Sequence, residues 1–203
     1  MRAPIRLLCN AAAALVLCLA PSAALAAADP AAAQIERFDG ALSTAMRGGA
    51  SLGVKGRAHV LSPTVEAVFD IPVMTRFAVG PSWASMSDAD HAALIEAFGR
   101  LIVASYAHNF ASDSAHFEVQ PNVETRGPDK LVQCRIIPNH GDPANVLYRM
   151  REDAGVWKVI DVYYNNSISE LTTKRSDFAS TLSSGGAKAL QAHIDAQSDK
   201  LMK

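Results

Sequence analysis

An α+β fold class follows from three features of the sequence. Apolar residues recur at spacings of three and four up to about residue 110, the period changes to two over residues 117–164, and a helical period returns after residue 168. Helices, then a meander of about four turn-separated strands, then helices again predict a curved antiparallel sheet packed with helices around an apolar cavity.

The N-terminus is read separately from the fold. Arg2 and Arg6 precede an apolar run from Leu7 to Ala20, and Pro21 interrupts it before small residues that continue to Ala28. This is the layout of a cleavable secretory signal peptide, expected over residues 1–26, with one domain over 27–203. The run is too short to span a bilayer comfortably. Cys9 and Cys18 fall inside the expected leader, so only Cys134 remains and no internal disulfide is expected. The domain must be held by its core, for which roughly 175 residues suffice. The full chain has 19 Lys and Arg against 20 Asp and Glu; without Arg2 and Arg6 the balance is 17 against 20, about −3. Nothing in that balance attracts nucleic acid or an anionic membrane over a long range. Aromatic residues are only 6%, which suits an aliphatic interior better than a sugar-stacking groove.

From Pro30 to about Arg47, Ile35, Phe38, Leu42 and Met46 form one stripe of a first helix, which Gly48 and Gly49 are expected to end. Val60 to Val79 reads as one or two short helices broken at Pro72, with Gly80-Pro81-Ser82 as the next turn. Ser87 precedes Asp88-Ala89-Asp90 and a long amphipathic run. It is therefore an N-cap, with acidic residues at the positive end of a helix that runs to about Phe110. Leu94, Phe98, Leu101, Ile102 and Tyr106 share that helix's inward face. Four strands follow, around Phe117 to Val123, Val132 to Ile136, Val146 to Met150 and Trp157 to Tyr164, joined by short Gly-, Pro-, Asn- and Asp-rich turns that favour antiparallel neighbours. Ile168 to Leu182 and Ala187 to Leu201 make a final helical pair split at Gly185-Gly186.

The sequence carries no evident reactive constellation. His59, His91, His108, His116, His140 and His193 are scattered singly, without metal-ligand spacing, so no metal is assigned. No serine sits in a Gly-x-Ser-x-Gly turn, no glycine-rich phosphate loop is present, and mid-strand Cys134 reads as a small buried hydrophobe. Asp161 is the one carboxylate set within an apolar strand. It is expected to hold a backbone group or a neighbouring Arg149 or Arg151, with general-base chemistry beside Tyr148 or Tyr164 as the alternative.

Several blocks carry a family resemblance. They are Phe69-Asp70-Ile71-Pro72-Val73-Met74-Thr75-Arg76, then Gly80-Pro81-Ser82-Trp83, then Tyr148-Arg149-Met150-Arg151, then Gly155-Val156-Trp157-Lys158-Val159-Ile160-Asp161-Val162, and last Leu171-Thr172-Thr173-Lys174-Arg175-Ser176-Asp177-Phe178 with Gly185-Gly186. In this order and spacing, over about Pro30 to Ile194, the chain resembles the MlaC/toluene-tolerance family of periplasmic lipid-binding proteins. Where that family usually has Glu-Gly-Val-Ser, this sequence has Asn165-Asn166-Ser167-Ile168-Ser169. With Glu170-Leu171, this departure resembles the hopanoid-associated branch, HpnM.

The resemblance implies a domain like nuclear transport factor 2 with an extra helical part, no enzyme activity and no cofactor. It also implies a periplasmic carrier that shuttles a hopanoid, a pentacyclic sterol-like lipid, between an inner-membrane exporter of RND or ABC type and an outer-membrane acceptor. Expected lining residues are Phe69, Met74, Phe77, Trp83, Phe98, Leu101, Ile102 and Tyr106 from the helical half. Val132, Val146, Tyr148, Met150, Val162 and Tyr164 are expected from the strands, and Ile168 and Leu171 from the last helix. The competing readings are a phospholipid carrier, a cavity enzyme built on Asp161, and an envelope adaptor with a solid core.

Overall fold

The computed structural model describes residues 28–111, 115–165 and 167–203. The expected signal peptide lies outside the described residues. Among the described residues, four helices and one sheet make up the α+β fold: α1 (Pro30–Val68), α2 (Ile71–Val79), a 3-10 turn at Gly80–Ser85, and α3 (Asp88–Asn109) come first. The strands follow as β1 (Ala115–Val119), β2 (Glu124–Arg126), β3 (Asp129–Pro138), β4 (Ala144–Asp153), β5 (Val156–Tyr164) and β6 (Ile168–Ser169), before α4 (Glu170–Leu201).

The first helix does not stop at Gly48-Gly49. Gly49 (φ 47°) and Gly53 (φ 61°) leave helical geometry, yet the helix resumes beyond them, so α1 is two helical halves joined across a kink. Buried Arg57 accounts for the join: its Nε donates to the Ala107 carbonyl at 2.8 Å and its Nη1 to the Gly49 carbonyl at 3.1 Å. One guanidinium thus satisfies carbonyls freed at the kink and near the end of α3. The stripe Ile35, Phe38, Leu42 and Met46 is fully enclosed.

Pro72 begins a helix where a break was expected. It lies in the first turn of α2, where its missing N–H costs nothing, and the Asp70 carboxylate accepts from Val73 N at 3.0 Å as the cap. Ser87 caps α3 through a reciprocal box: its hydroxyl accepts from Asp90 N, and the Asp90 carboxylate accepts from Ser87 N.

The sheet is antiparallel in the order β1-β3-β4-β5-β6, with β2 pairing the other half of the β3 edge. Six strands stand where about four were expected. The segment around Phe117 to Val123 divides into β1 and β2, and β6 is a two-residue strand at the foot of α4. The expected pair of C-terminal helices is one element, α4, with Gly186 at φ 65° marking the join. Phe38 sits where the layers meet: its ring packs edge-on against Phe69 (5.0 Å), Tyr106 (4.8 Å) and Tyr148 (6.5 Å), from the α1–α2 junction, α3 and β4. Asp70 N donates to the Val159 carbonyl at 2.9 Å, which ties the same junction to β5.

Candidate functional site

A cavity of about 470 Å³ opens between α3, the inward face of the sheet and the first turn of α4. Helix α3 presents Phe98, Leu101, Ile102, Ser105, Tyr106 and Asn109 to it, at the spacings of three and four that keep one helical face in register. The sheet contributes alternate residues, Ile136 from β3, Val146 and Tyr148 from β4, and Val162 and Tyr164 from β5. Phe69, Met74 and Phe110 close it, and Glu170, Leu171 and Lys174 come from α4.

Its two ends differ in chemistry. Phe69, Met74, Phe98, Leu101 and Tyr148 are buried, and they form an apolar floor. Asn109, Tyr164 and Glu170 are exposed, with half-buried Ser105 and Lys174 beside them, so the mouth is polar and carries one charge of each sign. A pocket of this size with apolar walls and few polar groups is the usual form of a small-molecule site. A wider groove of about 800 Å³ lies between the second half of α1, α3 and α4. Arg100 joins Glu96 to Asp195 there, so its walls carry ion pairs that the first cavity lacks.

Eleven of the expected lining residues face the cavity: Phe69, Met74, Phe98, Leu101, Ile102, Tyr106, Val146, Tyr148, Val162, Tyr164 and Leu171. Five lie elsewhere. Val132 and Met150 are fully enclosed in the core, where the helices leave no space above them. Phe77 is 43% exposed on the far side of α2, and Ile168 is 62% exposed on β6. Trp83 stacks on the His91 ring at 3.9 Å, and its carbonyl lies 2.9 Å from His91 Nε2.

The two buried tyrosines of the cavity, Tyr106 and Tyr148, are poor acids. Burial pushes the Tyr106 hydroxyl well up, with the Asp39 charge adding to it, and burial pushes Tyr148 up beside Tyr106. Asp161 does not line this cavity. One carboxylate oxygen accepts from Val162 N (2.8 Å) and Leu171 N (3.4 Å), and the other from the Ser169 hydroxyl (2.7 Å). It fixes the β5–α4 connection, and neither Tyr148 nor Tyr164 is among its hydrogen-bond partners, so the expected pairing of Asp161 with a cavity tyrosine is not formed. Burial raises the Cys134 thiol far above its ordinary value, as for a small core residue. Among the described residues, no group of three or more His, Cys, Asp or Glu is placed to hold a metal ion.

The model of the MlaC protein family matches residues 39–196, which takes in α2, α3, the whole sheet and most of α1 and α4. The chain belongs to the MlaC family. A solved structure with the same fold is the phospholipid-binding protein of Ralstonia solanacearum, in complex with a phospholipid. It is 20% identical, with a TM-score of 0.74 over 86% of this chain and 100% of that one. Among curated proteins no match is found.

Within this MlaC chain, sequence reasoning missed Ser105, Asn109, Phe110, Ile136, Glu170 and Lys174 as lining residues. Ser105 and Asn109 continue the α3 stripe from Phe98 and were legible by spacing, though not by polarity. Glu170 and Lys174 had no signal, because β6 decides how α4 meets the mouth. That connection turns on Asn165, which adopts φ 49°, a left-handed conformation that asparagine tolerates better than most residues. Asn165 N donates to the Asn145 carbonyl at 2.7 Å, and its Oδ1 accepts from Asn145 N at 3.3 Å. The turn sets Ile168 opposite Tyr164, leaving two exposed apolar side chains beside the mouth.

Proposed function

We propose that this protein is a periplasmic lipid carrier, exported by its N-terminal leader, and that its ligand is a hopanoid. The observation that carries the reading is the apolar cavity with a polar mouth between α3, the sheet and α4, in a chain of the MlaC family. Removing apolar lipid surface from water contributes roughly 25 cal/mol per Å², so such a cavity binds firmly with few polar contacts and no cofactor. The mouth supports the hopanoid. Ser105, Asn109, Tyr164, Glu170 and Lys174 form a mixed donor and acceptor set with balanced charge, which suits a neutral hydroxylated head better than a phosphate. Tyr164 and Ile168 extend apolar contact outward for a rigid ring system. Delivery between an inner-membrane exporter and an outer-membrane acceptor belongs to the same reading.

A second reading is favoured by the Ralstonia relative, which was solved with a phospholipid. The test is native mass spectrometry with organic extraction of protein from a host that makes both lipid classes. Co-purified hopanoid is expected. Phospholipid alone moves the assignment to the second reading, and protein free of both lipids overturns the carrier function.

A further inference from the structure

On the other side of the first turn of α4 from the lipid cavity, four arginines gather around an exposed aromatic ring. One hollow of about 190 Å³ has Phe77, Arg149 and Arg175 in its walls. A second, of about 480 Å³, has Arg76, Phe77, Arg151, Arg175 and the Gly80-Pro81 turn. Phe77 and Arg175 stand in both, so the two hollows form one surface.

The charge on this surface is not cancelled from within. Arg149 and Arg151 share a single carboxylate, that of buried Asp129, and among the described residues Asp161 is the only acid in the walls themselves. Two positive charges therefore remain, on a chain whose formal net charge is −1. Among the described residues, neither Arg76 nor Arg175 is in an ion pair. Arg175 instead donates from both Nε (2.8 Å) and Nη2 to the Phe77 carbonyl. It lies flat against Gly80, whose φ is 72° and where a Cβ would come within 3.1 Å of Arg175 Nε. The missing side chain lets the guanidinium settle there while the Arg175 side chain stays exposed.

We propose that this surface docks a protein partner through an acidic segment, whose carboxylates pair with Arg76 and Arg175 while an apolar side chain packs on Phe77. The proposal rests on the carrier reading, since a carrier must be met by the protein it loads from or unloads to. Arginine offers a planar fork matched to carboxylates, and arginine beside an aromatic ring is the usual composition of an interface centre. The hollows are concave, so they fit a projecting segment better than a flat bilayer. Leu171 lines both the lipid cavity and the first hollow. A partner seated here thus touches the helical turn that carries Glu170, Leu171 and Lys174 at the cavity mouth.

The test is site-specific photocrosslinking in producing cells, with Phe77→benzoylphenylalanine in the full chain and sequencing of the crosslinked peptide by mass spectrometry. A protein adduct through an Asp- or Glu-rich segment is expected. Its yield should fall at least tenfold when Arg76→Glu and Arg175→Glu are added, and severalfold with Arg76→Glu alone, an exposed change that disturbs no ion pair. Adducts to lipid only, no protein adduct, or a yield indifferent to both charge reversals would overturn the proposal. Lipid extracted from the same preparations reports separately on the carrier reading: wild-type protein without lipid counts against that function whatever the crosslinks show.

Discussion

The thiol of Cys134 on β3 donates to the Asp39 carboxylate on α1, with Sγ 3.3 Å from Oδ2, and both side chains are buried. The second oxygen, Asp39 Oδ1, is buried without a hydrogen-bond partner. A weak S–H donor is a poor replacement for water, so burial, only partly opposed by the Cys134 hydrogen bond and reinforced by the Glu36 charge, pushes Asp39 up to about 7.

That value gives the protein a pH-dependent stability around neutrality. The folded state holds the Asp39 proton more tightly than the unfolded chain does. The resulting stability is fully present below the ordinary carboxylate value of 3.8 and is lost as pH rises to about 7. Keeping the charged form buried above that pH costs on the order of 4 kcal/mol. Urea denaturation across pH 4–8 should show stability falling for the native chain and nearly flat for Asp39→Asn. Equal slopes in the two proteins would disprove the assignment.

Asp129 acts in the opposite direction and at the acid end. Burial by itself would raise it, but hydrogen bonds from Arg151 and Arg149 outweigh that and hold it below the usual carboxylate value. Its contribution is present above the unfolded value near 3.8 and is lost as pH falls through the lower folded one. Asp129→Asn is expected to lose roughly 2 kcal/mol at pH 7, the scale of a charge-assisted hydrogen bond, and to remove part of the acid limb of the stability curve. An unchanged acid limb by circular dichroism would count against it.

The cap of α3 should be measurable alone. Ser87→Ala removes the acceptor for Asp90 N and leaves the Asp90 carboxylate without its hydroxyl partner. A loss of about 1 kcal/mol in chemical denaturation is expected, with the lipid cavity unaffected.

Filling the cavity separates binding from folding. Ile102 lines the cavity from α3 and is only half-buried, so Ile102→Trp places an indole where the ligand is expected to lie. Co-purified lipid should drop at least tenfold while the circular dichroism spectrum and melting temperature hold. Retained lipid would mean that the ligand occupies another site.

Much of this could be read from the chain alone because it rests on local rules. The period of three and four placed Phe98, Leu101, Ile102 and Tyr106 on one face of α3, and the period of two placed Val146, Tyr148, Val162 and Tyr164 on one face of the sheet. Ser87 announced its own cap. The kink in α1 was not legible, because Gly48 and Gly49 look like a terminus until Arg57, distant from Ala107 in sequence, is seen holding both segments together.

Local pattern therefore determined the order of helical and strand segments, their inward faces and the family blocks, but not where every element ends. Which inward residues meet space and which meet other side chains is a different matter. Val132 and Met150 obey the same alternation as Val146 and Tyr148, yet they are solid core, because the helices close over them and not over their neighbours. Phe77 and Ile168 likewise kept apolar character but turned outward, one beside a cluster of arginines and the other at the cavity mouth. Periodicity fixes the direction of a side chain relative to its own element, whereas a cavity is the gap left between elements, and only their packing decides where that gap lies.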